Sequence, residues 1–249
     1  MRAALPVLLA TVLTACGTDA AGGGGSDETL RVFAAASLTG AFTELAEKFE
    51  TDNPGTTVEL NFGPSSGLAE QISSGAPADV FASASQTTMD VVIEAGDAVD
   101  PQPFVRNTMQ IAVPRDNPAG ITRLDQLGDN DVKVALCQPQ VPCGEVSAEV
   151  FDNAGLTVEP VTEEVDVKGV LTKVSLGEVD AGVVYVTDVL AAGDEVTGVE
   201  IPAAVNASTT YPIAMLERSE RAEVAEEFVD LVLSEAGTRV LERAGFERP

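Results

Sequence analysis

Serine residues at two predicted strand-to-helix turns are the side chains in this sequence best suited to binding chemistry. Ser37 follows the apolar run at residues 30–33 and precedes a helix pattern in which apolar residues recur every three or four positions. Ser65 and Ser66 stand in the turn after a predicted strand at 58–62. Ser37 occupies an N-cap position, and the free N–H groups and dipole of such a helix end favour an anion. The residues alone leave two roles for these serines, helix cap or anion donor.

The elements around these turns alternate between strand and helix. Because the carboxyl ends of parallel strands share one edge of a sheet, this alternation brings the two serine turns together where ligands of open α/β folds bind. It also predicts two αβ lobes. Further strands are predicted at 79–82, 109–113, 132–136, 181–185 and 199–201, and further helices at 87–95, 145–154, 166–176, 187–192 and from 218 to the end.

Composition excludes several classes of function. The chain has 249 residues, of which 45% are hydrophobic, enough for one large domain or two smaller ones. The formal net charge of −26, with only 14 Lys and Arg, argues against a nucleic-acid partner. The sequence contains no histidine, so the commonest general base and metal ligand is missing. We therefore expect a binding protein and not an enzyme.

The N-terminus has the pattern of an export signal. An apolar run at residues 3–15 is too short to span a bilayer, which needs about 20 residues, and it is followed by Cys16. Residues 13–16 resemble a bacterial lipobox, so we expect a signal peptide at 1–15, a lipid on Cys16 and a flexible tether at 16–28. An ordinary signal peptide with a chance cysteine is the alternative. The lipid would anchor the protein to the outer face of the cell membrane.

Two further cysteines, Cys137 and Cys143, are six residues apart in the sequence. In an exported protein this spacing predicts a disulfide, and closing so short a loop contributes about 2 kcal/mol in the chain-entropy model. A metal pair is the alternative, although no histidine and no further nearby cysteine would complete the site.

Five segments resemble the periplasmic molybdate-binding protein of molybdate ABC transporters, in the order and spacing of that family. The resemblance implies an α/β fold of the type II periplasmic-binding-protein class, with mixed sheets flanked by helices and two crossover strands. It also implies one lobe at 29–108 plus 212–249 and a second lobe at 109–211. The segments are VFAAASLT at 32–39, LAEQI at 68–72 with GAPAD at 75–79, PCG at 142–144, DVKG at 166–169 and GVVY at 182–185.

The same resemblance implies a set of oxyanion donors. Molybdate carries no proton at neutral pH, so its ideal site contains only hydrogen-bond donors. Two positions depart from the family. Pro64 stands where serine is common, which leaves Ser66 as a possible donor, and Cys143 stands where alanine is common. The implied donors are the hydroxyls of Ser37, Ser65 and Tyr185 and the backbone amides of Cys143 and Val167.

The expected function is therefore capture of molybdate or tungstate and delivery to the permease of an ABC importer. We expect a monomer with no cofactor and no metal apart from the oxyanion. A receptor of the same fold for sulfate is the alternative. Phosphate would need an acceptor for its proton, and ferric iron would need neighbouring tyrosines, whereas Tyr185 and Tyr211 are the only two. A serine hydrolase lacks both histidine and a Gly-x-Ser-x-Gly turn.

Overall fold

Nine strands form one mixed sheet within residues 28–249, the part of the chain that the computed structural model describes. The predicted signal peptide, Cys16 and the tether up to residue 27 lie outside the described residues, and Glu28 already begins the first strand. The strands are β1 (Glu28–Ala35), β2 (Thr56–Gly63), β3 (Val80–Ala82), β4 (Ala98–Pro114), β5 (Val134–Cys137), β6 (Thr162–Glu164), β7 (Ala181–Tyr185), β8 (Val196–Glu200) and β9 (Ser208–Leu216).

Helices cover this sheet and connect its parallel strands. Within the described part of the chain, none of these helices combines the length and the apolar composition that a membrane crossing requires. Three short 3-10 turns add to them, at Ala36–Leu38, Leu124–Gly128 and Gly193–Glu195. The α-helices are α1 (Thr39–Asp52), α2 (Ser65–Ser73), α3 (Gln86–Glu94), α4 (Pro142–Ala154), α5 (Val167–Ser175), α6 (Val186–Ala192), α7 (Ala222–Leu233) and α8 (Glu235–Arg243).

Strand β4 belongs to both halves of the sheet. Its residues 98–108 pair antiparallel with β9, and its residues 109–114 pair antiparallel with β7 and β8. In the first half β1 runs parallel to β2 and β3, and in the second half β5 runs parallel to β6 and β7. The strand order is β2-β1-β3-β9-β4-β7-β5-β6, with β8 on β4. The mixed α/β architecture predicted from the sequence is therefore confirmed.

The buried side chains separate into cores that meet at this strand. One core uses only residues between Met109 and Ala207. The other cores use residues up to Val105 and from Tyr211 onward. Separate cores on either side of shared strands favour two lobes that each keep their shape. The exact lobe boundaries at 29–108, 109–211 and 212–249 stay a prediction.

Two element boundaries differ from the sequence pattern because of proline. Strand β4 begins at Ala98, eleven residues before the predicted start, because register shifts beside Pro101 and Pro103 let the strand continue through residues that usually interrupt one. Helix α4 begins at Pro142 and not at residue 145, since proline fits the first helical position, where its missing N–H has no partner to lose. The earlier start places Cys143 inside the first turn of α4.

The disulfide predicted between Cys137 and Cys143 is confirmed, with the two Cα atoms 5.7 Å apart. It ties the end of β5 to the first turn of α4. Gly144 follows directly, and a Cβ atom there would overlap the backbone carbonyl of Gln138. The loop and the start of α4 are therefore packed backbone against backbone.

Replacing Gly144 by alanine is expected to lower the free energy of unfolding by about 1–3 kcal/mol, because the Gln138 backbone must move. Gly40→Ala is the matched control, since α1 has open space around that position. The control is expected to stabilise the protein by up to about 1 kcal/mol. Urea unfolding of both variants measures the difference, and equal effects would contradict the close packing at Gly144.

Removing the disulfide in the Cys137→Ser, Cys143→Ser double variant is expected to lower the unfolding free energy by about 2 kcal/mol, because the unfolded chain regains the freedom of the loop. Denaturant unfolding of the wild type with and without reductant gives the same comparison. The reductant must leave the double variant unchanged. A wild-type protein insensitive to reductant would count against the disulfide.

Candidate functional site

A small cavity lies where turns from both halves of the sheet meet. Its empty space is about 250 Å³ including the open mouth, below the range of about 300–1,000 Å³ usual for drug-sized ligands. The cavity therefore suits a small ion. All five predicted donor residues line it: Ser37, Ser65, Cys143, Val167 and Tyr185.

Ser37 is not the N-cap that the sequence pattern suggests. It lies inside the 3-10 turn Ala36–Leu38, where no side chain caps the turn, and α1 begins only at Thr39. The extra turn moves the helix start past the serine, so its hydroxyl points elsewhere. The Ser37 Oγ instead lies 2.9 Å from the hydroxyl oxygen of Tyr211.

The structure distinguishes the two serines of the second turn. Ser65 is the first residue of α2, is 2% exposed and lines the cavity. Its Oγ accepts a hydrogen bond of 3.0 Å from the backbone N–H of Ala84, so its own proton is free to be donated. Ser66 is half-buried and is not among the cavity-lining residues.

The amides of Cys143 and Val167 lie in the first turns of two helices whose N-terminal residues line the cavity. Cys143 is the second residue of α4, and Val167 is the first residue of α5. An amide in the first turn has no carbonyl acceptor within its own helix, and the helix dipole adds positive potential there. Asp166 also lines the cavity, but its carboxylate accepts from the backbone N–H of Gly169 at 2.9 Å. Both helix ends can therefore receive an anion.

Tyr185 supplies a buried hydroxyl that no described residue satisfies. It is the last residue of β7 and is 1% exposed, and its hydroxyl has no hydrogen-bond partner in residues 28–249. Burial, followed by the nearby Tyr211 and Asp188, raises the pKa of Tyr185 well above its usual value. The group stays protonated and can donate. Leaving such a group unpaired costs about 1–3 kcal/mol, which a ligand would recover.

Charged side chains near the cavity are engaged with each other. Lys168 forms an ion pair of 2.9 Å with the fully buried Asp188, which also accepts from the backbone N–H of Tyr185 at 3.2 Å. Burial raises the pKa of the Asp188 carboxyl, and the Lys168 ammonium opposes that shift. Among the described residues that line the cavity there is no Lys or Arg, and Asp166 is the single charged residue.

The sequence pattern missed Tyr211 and Asn107, which are both buried in the two strands that join the halves of the sheet. The Asn107 amide nitrogen lies 3.4 Å from the Tyr211 hydroxyl and 2.8 Å from the Thr187 hydroxyl. The one available signal was a lone asparagine inside a run that is otherwise typical of a buried strand. The sequence suggested a role for Tyr211 only as one of the two tyrosines that a ferric site would need.

The cavity has the chemistry of a binding site for an acceptor-rich anion. The sequence has no histidine, and the described residues that line the cavity include no Lys, so an imidazole or amine base that could make a nucleophile is missing from the lining. Within residues 28–249, no cluster of three or more His, Cys, Asp or Glu side chains could hold a metal ion. The arrangement can hold a small oxyanion through hydrogen bonds from O–H and N–H groups.

Known proteins match this chain over nearly its whole length. The family model described as bacterial extracellular solute-binding protein matches residues 30–247. The molybdate-binding protein ModA of Mycobacterium tuberculosis is 42% identical over 248 residues, which cover 97% of this chain and 95% of that protein. The chain is thus a homologue of mycobacterial ModA.

Two solved structures share the fold. The periplasmic molybdate-binding protein of Azotobacter vinelandii superposes with a TM-score of 0.79 at 20% identity, covering 88% of this chain and 99% of that one. The sulfate-binding protein SubI of M. tuberculosis superposes with a TM-score of 0.77 at 16% identity, covering 89% and 87%. At these identities the superpositions establish the fold alone. Taken with the family match and the donor-lined cavity, they lead to one conclusion: the chain belongs to the bacterial extracellular solute-binding protein family.

Proposed function

We propose that this protein is the extracytoplasmic receptor of an ABC importer and that it captures molybdate, and also tungstate, in the donor-lined cavity. One observation carries the proposal: the buried Tyr185 hydroxyl lacks a partner within residues 28–249, and Tyr185 lines a cavity that otherwise offers serine hydroxyls and helix N-termini. A proton-free tetrahedral dianion is the ligand that such a set of donors would satisfy. The name of the mycobacterial relative supports the same ligand.

The proposed donors are those expected from the sequence. The hydroxyls of Ser37, Ser65 and Tyr185 and the amides of Cys143 and Val167 all line the cavity. A hydrogen bond to a charged group contributes about 1.5–3 kcal/mol net, so five of them can exceed the roughly 8 kcal/mol of micromolar binding. Part of the surplus offsets the cost of bringing the lobes together. Ser65 is the proposed donor of its turn, and Ser66 is not.

Sulfate is the second candidate, because it too is a proton-free dianion at neutral pH and would use the same donors. Phosphate differs, since at neutral pH it carries a proton that needs an acceptor. Asp166 supplies the only carboxylate among the described residues that line the cavity, and it caps α5 by accepting from the Gly169 amide. We infer that a carboxylate held in this cap is a poor acceptor for the phosphate proton and that the site disfavours phosphate.

The remaining proposals concern location, partners and catalysis, and they rest on the composition and on the predicted export signal. We propose that a lipid on Cys16 holds the protein at the outer face of the cell membrane and that it acts as a monomer, with the permease as its protein partner. The net charge of −26 opposes nucleic-acid binding. We propose no cofactor and no catalysis, because no general base accompanies the cavity hydroxyls.

Titration of the purified protein with molybdate, tungstate, sulfate and phosphate tests the ligand. We expect molybdate and tungstate to bind with sub-micromolar affinity and to raise the melting temperature, with sulfate weaker and phosphate weakest. Both tyrosines lie at or beside the site and the chain has no tryptophan, so intrinsic fluorescence reports binding directly. Tighter binding of sulfate than of molybdate would show that sulfate, and not molybdate, is the ligand.

Ser37→Ala and Tyr185→Phe each remove one donor hydroxyl and little else. Each is expected to weaken molybdate binding by ~1–3 kcal/mol, because a charge-assisted hydrogen bond is lost. Ser66→Ala is the matched control, since that serine does not line the cavity, and its affinity should equal that of the wild type. Calorimetric titration gives all three values. Unchanged affinity in both site variants would remove these hydroxyls from the donor set.

A further inference from the structure

Strand β9 reaches both cavity serines through buried hydrogen bonds. The Tyr211 hydroxyl lies 2.9 Å from the Ser37 Oγ. The Thr209 hydroxyl donates to the carbonyl of Ala84 at 2.6 Å, and the N–H of Ala84 donates to the Ser65 Oγ at 3.0 Å. Residues 209 and 211 are two positions apart on β9, so their side chains lie on the same face of the strand. One face of a single strand therefore contacts both serine hydroxyls, one directly and one through a peptide.

The direction of the hydrogen bonds on the Ser65 branch is fixed by chemistry. A backbone N–H can only donate, so the Ser65 Oγ is the acceptor of the Ala84 bond. The hydroxyl proton of Ser65 is then left to point at the cavity. Thr209 holds the Ala84 carbonyl from the other side.

The Ser37 branch runs from Asn107 through the Tyr211 hydroxyl to Ser37. The backbone N–H of Thr108 reaches the side-chain oxygen of Asn107 at 3.1 Å, which orients the amide and turns its nitrogen toward Tyr211 and Thr187. An amide NH₂ can only donate, so the Tyr211 oxygen accepts from Asn107. Either hydroxyl can donate in the 2.9 Å contact between Tyr211 and Ser37, and when Tyr211 is the donor Ser37 keeps its own proton for the cavity.

A serine hydroxyl without such neighbours rotates and can donate or accept. Building on the proposed function, we propose that Tyr211, Asn107 and Thr209 are positioning residues that lock both serine hydroxyls as donors toward the anion. With both serine hydroxyls held as donors, the site selects oxyanions without a proton. A protonated oxygen of the ligand would place its proton against the proton of a serine hydroxyl. Tyr211 contacts Ser37 directly, Asn107 acts through Tyr211, and Thr209 acts through the Ala84 peptide. The three are not among the described residues that line the cavity.

The Tyr211 hydroxyl can be removed without removing the ring. The ring packs edge-on against Phe246 and Phe104, with centroids 5.4 and 6.3 Å away, and Tyr211→Phe keeps these contacts. A purely structural role of Tyr211 would therefore survive this substitution, whereas the lock on Ser37 would not.

A double-mutant cycle tests the lock. In Tyr211→Phe we expect molybdate affinity to fall by about 3- to 10-fold and the ratio of molybdate to phosphate affinity to narrow. In the Ser37→Ala background the same substitution should cause no further loss. Ser219→Ala is the control, since it removes a hydroxyl bond to Asp79 that involves no cavity residue, and it should leave both affinities unchanged. Equal losses in both backgrounds, or an unchanged ratio, would overturn the proposal.

A ligand-free measurement separates this proposal from the function. In the absence of any oxyanion, the buried Tyr211 hydroxyl proton should exchange slowly and show a nuclear Overhauser effect to the β-protons of Ser37. Both signals should be lost in Ser37→Ala. If the wild type binds none of the four oxyanions, the proposed function fails while this result still decides the lock. Absence of the effect in the wild type would overturn the lock even if molybdate binds.

Discussion

Binding an anion without a basic side chain is the constraint on which the rest of this structure depends. The protein carries a net charge of −26, so its long-range field repels a dianion, although salt screens that repulsion beyond about 8 Å. Attraction must come from short-range N–H and O–H donors that are shielded from water, where each hydrogen bond is stronger. Such donors work only when several converge on one point. The fold must therefore place groups from distant segments within a few ångströms of each other.

The sheet topology meets this requirement by repeating one local device. At Ser65 and at Val167 a helix starts at the cavity, and helix α4 adds its first turn after β5. Each helix start exposes unpaired amides in one direction, so placing three of them around one cavity sums their dipoles. The Cys137–Cys143 disulfide and the close contact of Gly144 with Gln138 fix where α4 begins. These two features therefore hold the backbone at the start of α4, which carries the Cys143 amide.

The strands that join the two halves carry a second layer of buried polar groups. Asn107 and Tyr211 lie on β4 and β9, and Asp188 lies in the first turn of α6, where it accepts from the backbone N–H of Tyr185. Burying such groups is costly unless each one is paired. Here the pairings link residues of both halves and end at the cavity serine Ser37. The buried polar groups Asn107 and Tyr211 at the junction and the Ser37 hydroxyl at the cavity therefore belong to one hydrogen-bonded network.

Local sequence patterns determined the mixed α/β class, the serine turns and the disulfide, because helix starts and strand ends are set by neighbouring residues. The five residues implied by the family resemblance all line the cavity. Local patterns failed where distant contacts decide. Ser37 suggested a cap, yet its hydroxyl pairs with Tyr211, 174 positions away. The first half of β4 contains two prolines, and only antiparallel pairing with β9 makes it a strand. The hydrogen-bond partners of Ser37 and Ser65 were likewise decided by the tertiary structure, since strand order, and not local spacing, brings Tyr211 and Ala84 beside these hydroxyls.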